Sequence, residues 1–154
     1  YREFSILDSE NKPLLLATSS LVLIDNNTRR PVPLNLPSSS LFETIPERAA
    51  EFSCSRIPEL ETYELTFRTH ARYEDIDINS HMNNASYAQL FLESLPSMIG
   101  TYEIESIDIS FRGEISYLDV ITCLSDRGKE GEYYHKMINE TKGIVSALAV
   151  TRWR

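Results

Sequence analysis

The chain has 154 residues, 42% of them hydrophobic and 25% charged, with a net charge of −8; this is the make-up of one globular domain, or of one domain plus part of another. That charge argues against nucleic acid as the main partner, because phosphate binding needs a basic surface, and no apolar run approaches the roughly 20 residues of a membrane helix. The two cysteines, Cys54 and Cys123, form no CxxC pair for zinc or redox chemistry.

The sequence starts at Tyr1, without a methionine, and runs straight into Arg2-Glu3-Phe4-Ser5-Ile6-Leu7, which predicts a strand. So abrupt a start predicts that the sequence is a piece whose N-terminal portion is absent. No charged-apolar-small leader is visible, which predicts a cytoplasmic protein with both thiols free. The sequons at Asn26, Asn84 and Asn139 are then accidental.

Residues 3–7 and 14–25 read as two strands, joined by the turn formers Asp8-Ser9-Glu10-Asn11-Lys12-Pro13 into a hairpin. Asp25-Asn26-Asn27-Thr28 predicts another turn. Pro31, Pro33, Pro37 and Ser38-Ser39-Ser40 read as a linker. Within it, Ser40 to Glu43 and Thr44 to Glu47 both have capping-box spacing, which predicts one short helix near 46–52.

Residues 62–74 predict a long strand. Tyr63, Leu65, Phe67, Ala71 and Tyr73 alternate with polar side chains, as on a strand with one wet and one buried face. The period then changes. Tyr87, Ala88, Phe91, Leu92 and Leu95 share one helical stripe. Asn83 or Asn84 is the natural N-cap, and Pro96 stops the helix at Leu95. Strands follow at 107–111, 120–124, 132–138 and 144–153, and Gly113 permits a bulge or a tight approach. From residue 61 the order is one strand, one helix and four strands. That order predicts an α+β domain, an antiparallel sheet wrapped around one buried helix. A core of about 90 residues is marginal alone and gains from a partner surface.

Between the predicted strand and helix lies Asp75-Ile76-Asp77-Ile78-Asn79-Ser80-His81-Met82-Asn83-Asn84. In an extended segment every second side chain shares a face, so Asp77, Asn79 and His81 are predicted to point together beside a helix N-terminus. Any one of them alone is more often a turn-shaping residue; three in alternation before an Asn-Asn helix start favour a site. Asp75, Asp77 and Asn79 imitate an EF-hand opening, but Ser80 and Ser86 stand where glycine and glutamate are needed, which argues against calcium. His70 and His81 lack zinc spacing. No cofactor or metal is expected. A carboxylate or imidazole can deprotonate a water, and helix-start N–H groups can hold an oxyanion. With no GxSxG elbow, and with the cysteines reading as buried hydrophobes, a water nucleophile fits best.

The run from Arg72 to Tyr87 contains D-x-D-x-N-x-H-x-N-N followed by a helical aromatic, and it resembles the signature of plant and bacterial acyl-ACP thioesterases. Phe4 to Asp8, Ala17 to Asp25 and Thr28-Arg29-Arg30-Pro31 resemble the end of that family's first hot-dog domain. Ile109-Ser110-Phe111-Arg112-Gly113-Glu114 resembles the segment carrying its later catalytic carboxylate. The resemblance implies two hot-dog domains in tandem. Residues 1–34 would be the last strands of a truncated first domain, 35–60 a linker with a short helix, and 61–154 the complete catalytic domain.

The implied activity is hydrolysis of fatty acyl-ACP thioesters in fatty acid biosynthesis, with Asp77, Asn79, His81 and Glu114 as the catalytic set and their division of labour open. Asp75 would be structural. Plant members usually carry cysteine after the glutamate; here Ile115 stands there, which favours water. The implied partner is the acidic acyl carrier protein, with Arg29, Arg30, Arg68, Arg72 and Arg112 as candidates for its docking patch. The missing first domain, or a second copy, would complete a pseudo-dimer or homodimer; no membrane partner is expected. Because the acyl chain is largely housed by the first domain, residues 1–154 alone should turn over weakly or not at all. The alternatives are an acyl-CoA thioesterase and a non-catalytic acyl-binding hot-dog module; the intact four-residue set speaks against the module.

Overall fold

A computed structural model describes residues 2–19, 22–25, 27, 28, 30–33, 49 and 56–154. The chain divides into two units, Tyr1–Ser55 and Arg56–Arg154. The short helix expected near 46–52, Cys54 and Arg29 lie outside the described residues.

In the first unit, β1 (Arg2–Leu7) and β2 (Pro13–Ser19) pair antiparallel, with Phe4 opposite Ala17. The Asp8 carboxylate makes the turn, accepting the N–H groups of Glu10 and Lys12 at 2.8 Å each. The second predicted strand is shorter than expected. β2 ends at Ser19, and Ile24 then makes an isolated bridge to Pro31. The Asp25 side chain accepts the N–H groups of Asn27 and Thr28, so the chain turns where a side chain captures its own backbone.

In the second unit, β3 (Leu65–His70), a 3-10 turn (Tyr73–Asp75), α1 (Asn84–Glu93), β4 (Ile104–Phe111), β5 (Val120–Arg127), β6 (Glu132–Asn139) and β7 (Ile144–Trp153) follow in order. The strands form one antiparallel sheet in the order β3-β5-β6-β7-β4. After α1 the chain therefore crosses to the far edge before returning through the middle. β6 alternates buried and half-buried residues along its length, the period-two signature of a sheet with one covered face. α1 lays Tyr87, Leu90 and Phe91 onto Cys123, Met137, Ala147 and Ala149. Burying a side chain the size of Phe91 is worth about 1.5–3 kcal/mol. One helix packed on a five-stranded antiparallel sheet is the hot-dog fold.

The strand expected over 62–74 is confined to Leu65–His70. After it, Ala71 N–H donates to Asp119 O, and the Asp75 carboxylate accepts the Arg72 N–H at 2.8 Å and its guanidinium at 3.2 Å. This capture bends the backbone into the 3-10 turn although the apolar alternation continues. Tyr73, expected on the buried face, is 84% exposed. The helix closes at Glu93 with Ser94 as its C-cap.

A buried polar chain ties the end of α1 to the sheet. Ser94 Oγ donates to Phe91 O at 2.6 Å, and a hydroxyl has one hydrogen. Ser94 must therefore accept from Ser125 Oγ at 2.7 Å, and Ser125 in turn from His135 Nδ1 at 2.7 Å. His135 Nε2 then accepts from Thr151 Oγ1 at 2.9 Å, and Thr151 accepts from Trp153 Nε1 at 2.9 Å. Every donor points one way, and His135 is fixed as the neutral Nδ1–H tautomer. Burial pushes its pKa down to about 4.

Candidate active site

Asp77, Asn79 and His81 do not lie on an extended strand as their alternation suggests. Ile76 bridges Met82, Asp77 N–H donates to His81 O at 2.8 Å and Ser80 N–H to Asp77 O at 3.0 Å. Ser80 carries the reversal at φ 64°, a left-handed conformation that costs a side-chain-bearing residue energy. The three side chains converge because the backbone turns, not because a strand alternates.

The Asp77 carboxylate holds this turn. Its Oδ1 accepts the N–H groups of Asn79 at 2.8 Å and His81 at 3.4 Å, and its Oδ2 accepts the Asn79 side-chain amide at 3.3 Å. The Asn79 backbone N–H is the main reason the Asp77 carboxyl sits below its ordinary value, with the Asn79 amide and His81 adding to it. Because the Asn79 NH₂ is drawn to Asp77, the opposite amide atom is an acceptor.

Asn83 caps α1, its side chain accepting Ala85 N–H at 2.9 Å. Ser86 N–H is taken by Asn83 O. The N–H groups of Ala85 and Ser86 are thus taken by Asn83, so an oxyanion has fewer helix-start donors than the sequence suggests. Asp75 is buried and structural. Burial pushes its carboxyl up, but the Arg72 bonds outweigh that and leave it low.

Glu114 arrives from the other edge of the sheet. At the end of β4, Arg112 N–H and Gly113 N–H both donate to Ser146 O, at 2.8 and 3.1 Å. Two residues thus oppose one, and the chain is re-aimed beyond the strand. Tyr87 Oη donates to Gly113 O at 3.0 Å, and Met82 N–H to Ile115 O at 2.8 Å. Glu114 Oε2 lies 3.2 Å from His81 Nε2. All four residues line one recess of about 340 Å³, with Asn84 and Phe111. Ile115, next to Glu114, is fully buried in the main core.

The recess holds a carboxylate paired with an imidazole, a second carboxylate fixing an amide, and Asn84 at the start of α1. These can position a water, take its proton and receive developing charge. A larger cavity of about 630 Å³, lined by Met98, Arg127, Tyr133, Trp153 and others, brings together no carboxylate–imidazole pair. Among the described residues no group of three or more His, Cys, Asp or Glu is placed to hold a metal.

Residues 59–154 match the family model of the acyl-ACP thioesterase C-terminal domain. The chain belongs to the acyl-ACP thioesterase family. It is 26% identical, over 99% of its own length and 40% of the relative's, to a chloroplastic acyl-[acyl-carrier-protein] hydrolase of Cuphea viscosissima. It is 30% identical, over 85% of its length and 39% of the relative's, to a chloroplastic oleoyl-acyl carrier protein thioesterase of Arabidopsis thaliana. The chain thus spans about 40% of the length of these curated relatives. Its fold is that of an acyl-ACP thioesterase from Bacteroides thetaiotaomicron, with a TM-score of 0.72 at 20% identity over 99% of this chain and 61% of that one. A 12:0-ACP thioesterase from Umbellularia californica has a TM-score of 0.70 at 20% identity, over 99% and 61% of the two chains.

Two members of the site were not singled out for it in the sequence. Tyr87 reads as part of the core stripe, yet its hydroxyl holds the backbone before Glu114. Asn84 reads as a cap, while Asn83 makes the cap and Asn84 faces the recess. Arg68, Arg72 and Arg112, candidates for a docking patch, pair with Glu140, with Asp75 and Glu74, and with Glu59. Arg30 is exposed.

Proposed function

We propose that this chain carries the catalytic half of a tandem hot-dog thioesterase that hydrolyses fatty acyl-ACP to free fatty acid. The observation that carries this is the His81–Glu114 pair, 3.2 Å apart, in the same recess as Asp77 and Asn79. A water held beside the pair attacks the thioester carbonyl and gives up its proton to the pair. The oxyanion is received by the Asn84 N–H. When the tetrahedral intermediate collapses, the C–S bond breaks, and the proton held by the pair goes to the departing pantetheine sulfur.

In this reading residues 1–34 are the last strands of a first hot-dog domain, 35–60 are the linker, and 61–154 are the catalytic domain, so a pseudo-dimer completes the acyl pocket. The protein acts in the cytoplasm. Arg30 belongs to a face that meets the acidic carrier, since opposite charge speeds docking. Among the described residues no helix is long and apolar enough to cross a membrane.

The test is a panel of acyl-ACP and acyl-CoA substrates of graded chain length given to the full-length protein, with free thiol measured. Faster turnover of acyl-ACP than of matched acyl-CoA is expected. Preference for acyl-CoA would reassign the carrier, and absence of hydrolysis from both would overturn the reading.

A further inference from the structure

Three consecutive carbonyls around Glu114 accept hydrogen bonds from three different parts of the fold. Gly113 O accepts from Tyr87 Oη of α1, and Ile115 O from Met82 N–H at the base of the Asp77 turn. Between them, Glu114 O accepts from Lys142 Nζ at 3.1 Å, from the turn joining β6 and β7. An ammonium has three hydrogens, and all three are placed: the other two go to Ser116 Oγ at 2.9 Å and Asp119 Oδ2 at 3.1 Å.

Lys142 is itself braced. Asn139 Oδ1 accepts its backbone N–H at 3.0 Å, and Asn139 Nδ2 donates to Asp119 Oδ2 at 2.7 Å. Asp119 is buried and also accepts Ser116 N–H at 2.8 Å. Burial raises the Asp119 carboxyl, but the Ser116, Asn139 and Lys142 bonds prevail and keep it low. A solvated surface lysine has none of these restraints. The two groups that flank the Lys142 contact, Tyr87 and Met82, hold the neighbouring carbonyls from the side of the recess. Lys142 ties the Glu114 backbone to the turn between β6 and β7.

We propose that Lys142 is a positioning residue of the site: clamped by Asp119 and Asn139, its ammonium fixes the Glu114 backbone so that the carboxylate meets His81. This rests on the hydrolytic reading for its consequence in rate, though not for its geometry.

The test uses this chain with Lys142→Met, which keeps the stem and removes the charge, and with Lys142→Arg, each with Glu114 intact and as Glu114→Gln. Lys142→Met should lower kcat about 10- to 100-fold with KM within about twofold, Lys142→Arg should recover part of that loss, and Lys142→Met should cost nothing further in the Glu114→Gln background. Equal losses in both backgrounds would overturn the proposal. The His81 ring ¹⁵N and ¹³C shifts, read at one pH, supply a second measurement independent of turnover. Lys142→Met should move them in the direction that Glu114→Gln does, and unchanged shifts would also overturn it. If the unmodified chain turns over too little thioester for kcat to be compared, the ring shifts decide the role of Lys142, and the substrate panel on the full-length protein decides the proposed function separately.

Discussion

His81 Nε2 stands 3.2 Å from Glu114 Oε2, although one comes from the turn before α1 and the other from beyond the far-edge strand β4. Glu114→Gln keeps the shape of the side chain and removes its charge. Thioester hydrolysis should then fall by about 10²–10⁴, the usual worth of general-base help, with KM little changed. A rate within twofold of the unmodified protein would show that the pair does not act on the water.

Asp77→Asn and His81→Ala should nearly abolish turnover while the far-ultraviolet circular dichroism stays native. Asp77→Asn weakens the acceptor that holds Asn79 and His81 in their turn. The sign with pH follows from its lowered carboxyl: the stabilisation is full above the ordinary value of 3.8 and is lost as the pH falls from there towards the lower folded value. Unchanged rates in both variants would remove these residues from the site.

His135 gives a pH dependence of the same sign in a higher pH window. Its folded pKa is pushed down to about 4 from an ordinary 6.5, so above pH 6.5 neither state is protonated and stability is level. Below it the unfolded chain binds a proton that the folded chain refuses, and stability drops at up to about 1.4 kcal/mol per pH unit until about pH 4. Urea unfolding across pH 4–7 should show this slope for the unmodified protein and a shallower one for His135→Gln.

Cys123 is fully buried, and burial pushes its thiol up to about 12. The thiolate is the reactive form. Iodoacetamide should leave Cys123 unlabelled in the native protein and label it after unfolding in urea, as read by mass spectrometry of its tryptic peptide. Rapid native labelling would contradict the packing of β5.

Asp75 tests the boundary between structure and chemistry in the polar run. Asp75→Ala strands the Arg72 N–H and leaves its guanidinium with Glu74 alone, a loss of about 1.5–3 kcal/mol for hydrogen bonds to a charged group. The thermal midpoint should fall, while kcat per folded molecule stays close to the unmodified value. A kcat collapse without a fall in stability would move Asp75 into the reacting group.

The hot-dog sheet was legible because periodicity reports burial: β6 and α1 show their covered face in residue pattern alone, while β7 reads as a strand by its apolar run and is buried along most of its length. Helix capping by Asn83 was legible for a similar local reason. The fate of residues 71–81 was not. There the apolar alternation runs on through Tyr73, while the Asp75 and Asp77 carboxylates capture nearby N–H groups and bend the chain. Side-chain capture competes with the strand ladder and leaves no periodic mark. Asp77, Asn79 and His81 were rightly grouped, but by a mechanism they do not use. Their partnership with Glu114 is a long-range event, suggested by family resemblance and invisible to spacing. Lys142 has no sequence signal at all, because its meaning depends on which carbonyl the β6–β7 turn happens to face.

Glu114 and Ile115 are covalent neighbours that answer to different demands. One carboxylate faces the recess, where on the proposed function a change is registered as a change in rate; the adjoining side chain is sealed in the core beneath α1, where a change is registered as a change in volume. A lineage could therefore exchange a cysteine for an isoleucine at that second position by repacking alone, without inventing a new way to break a thioester.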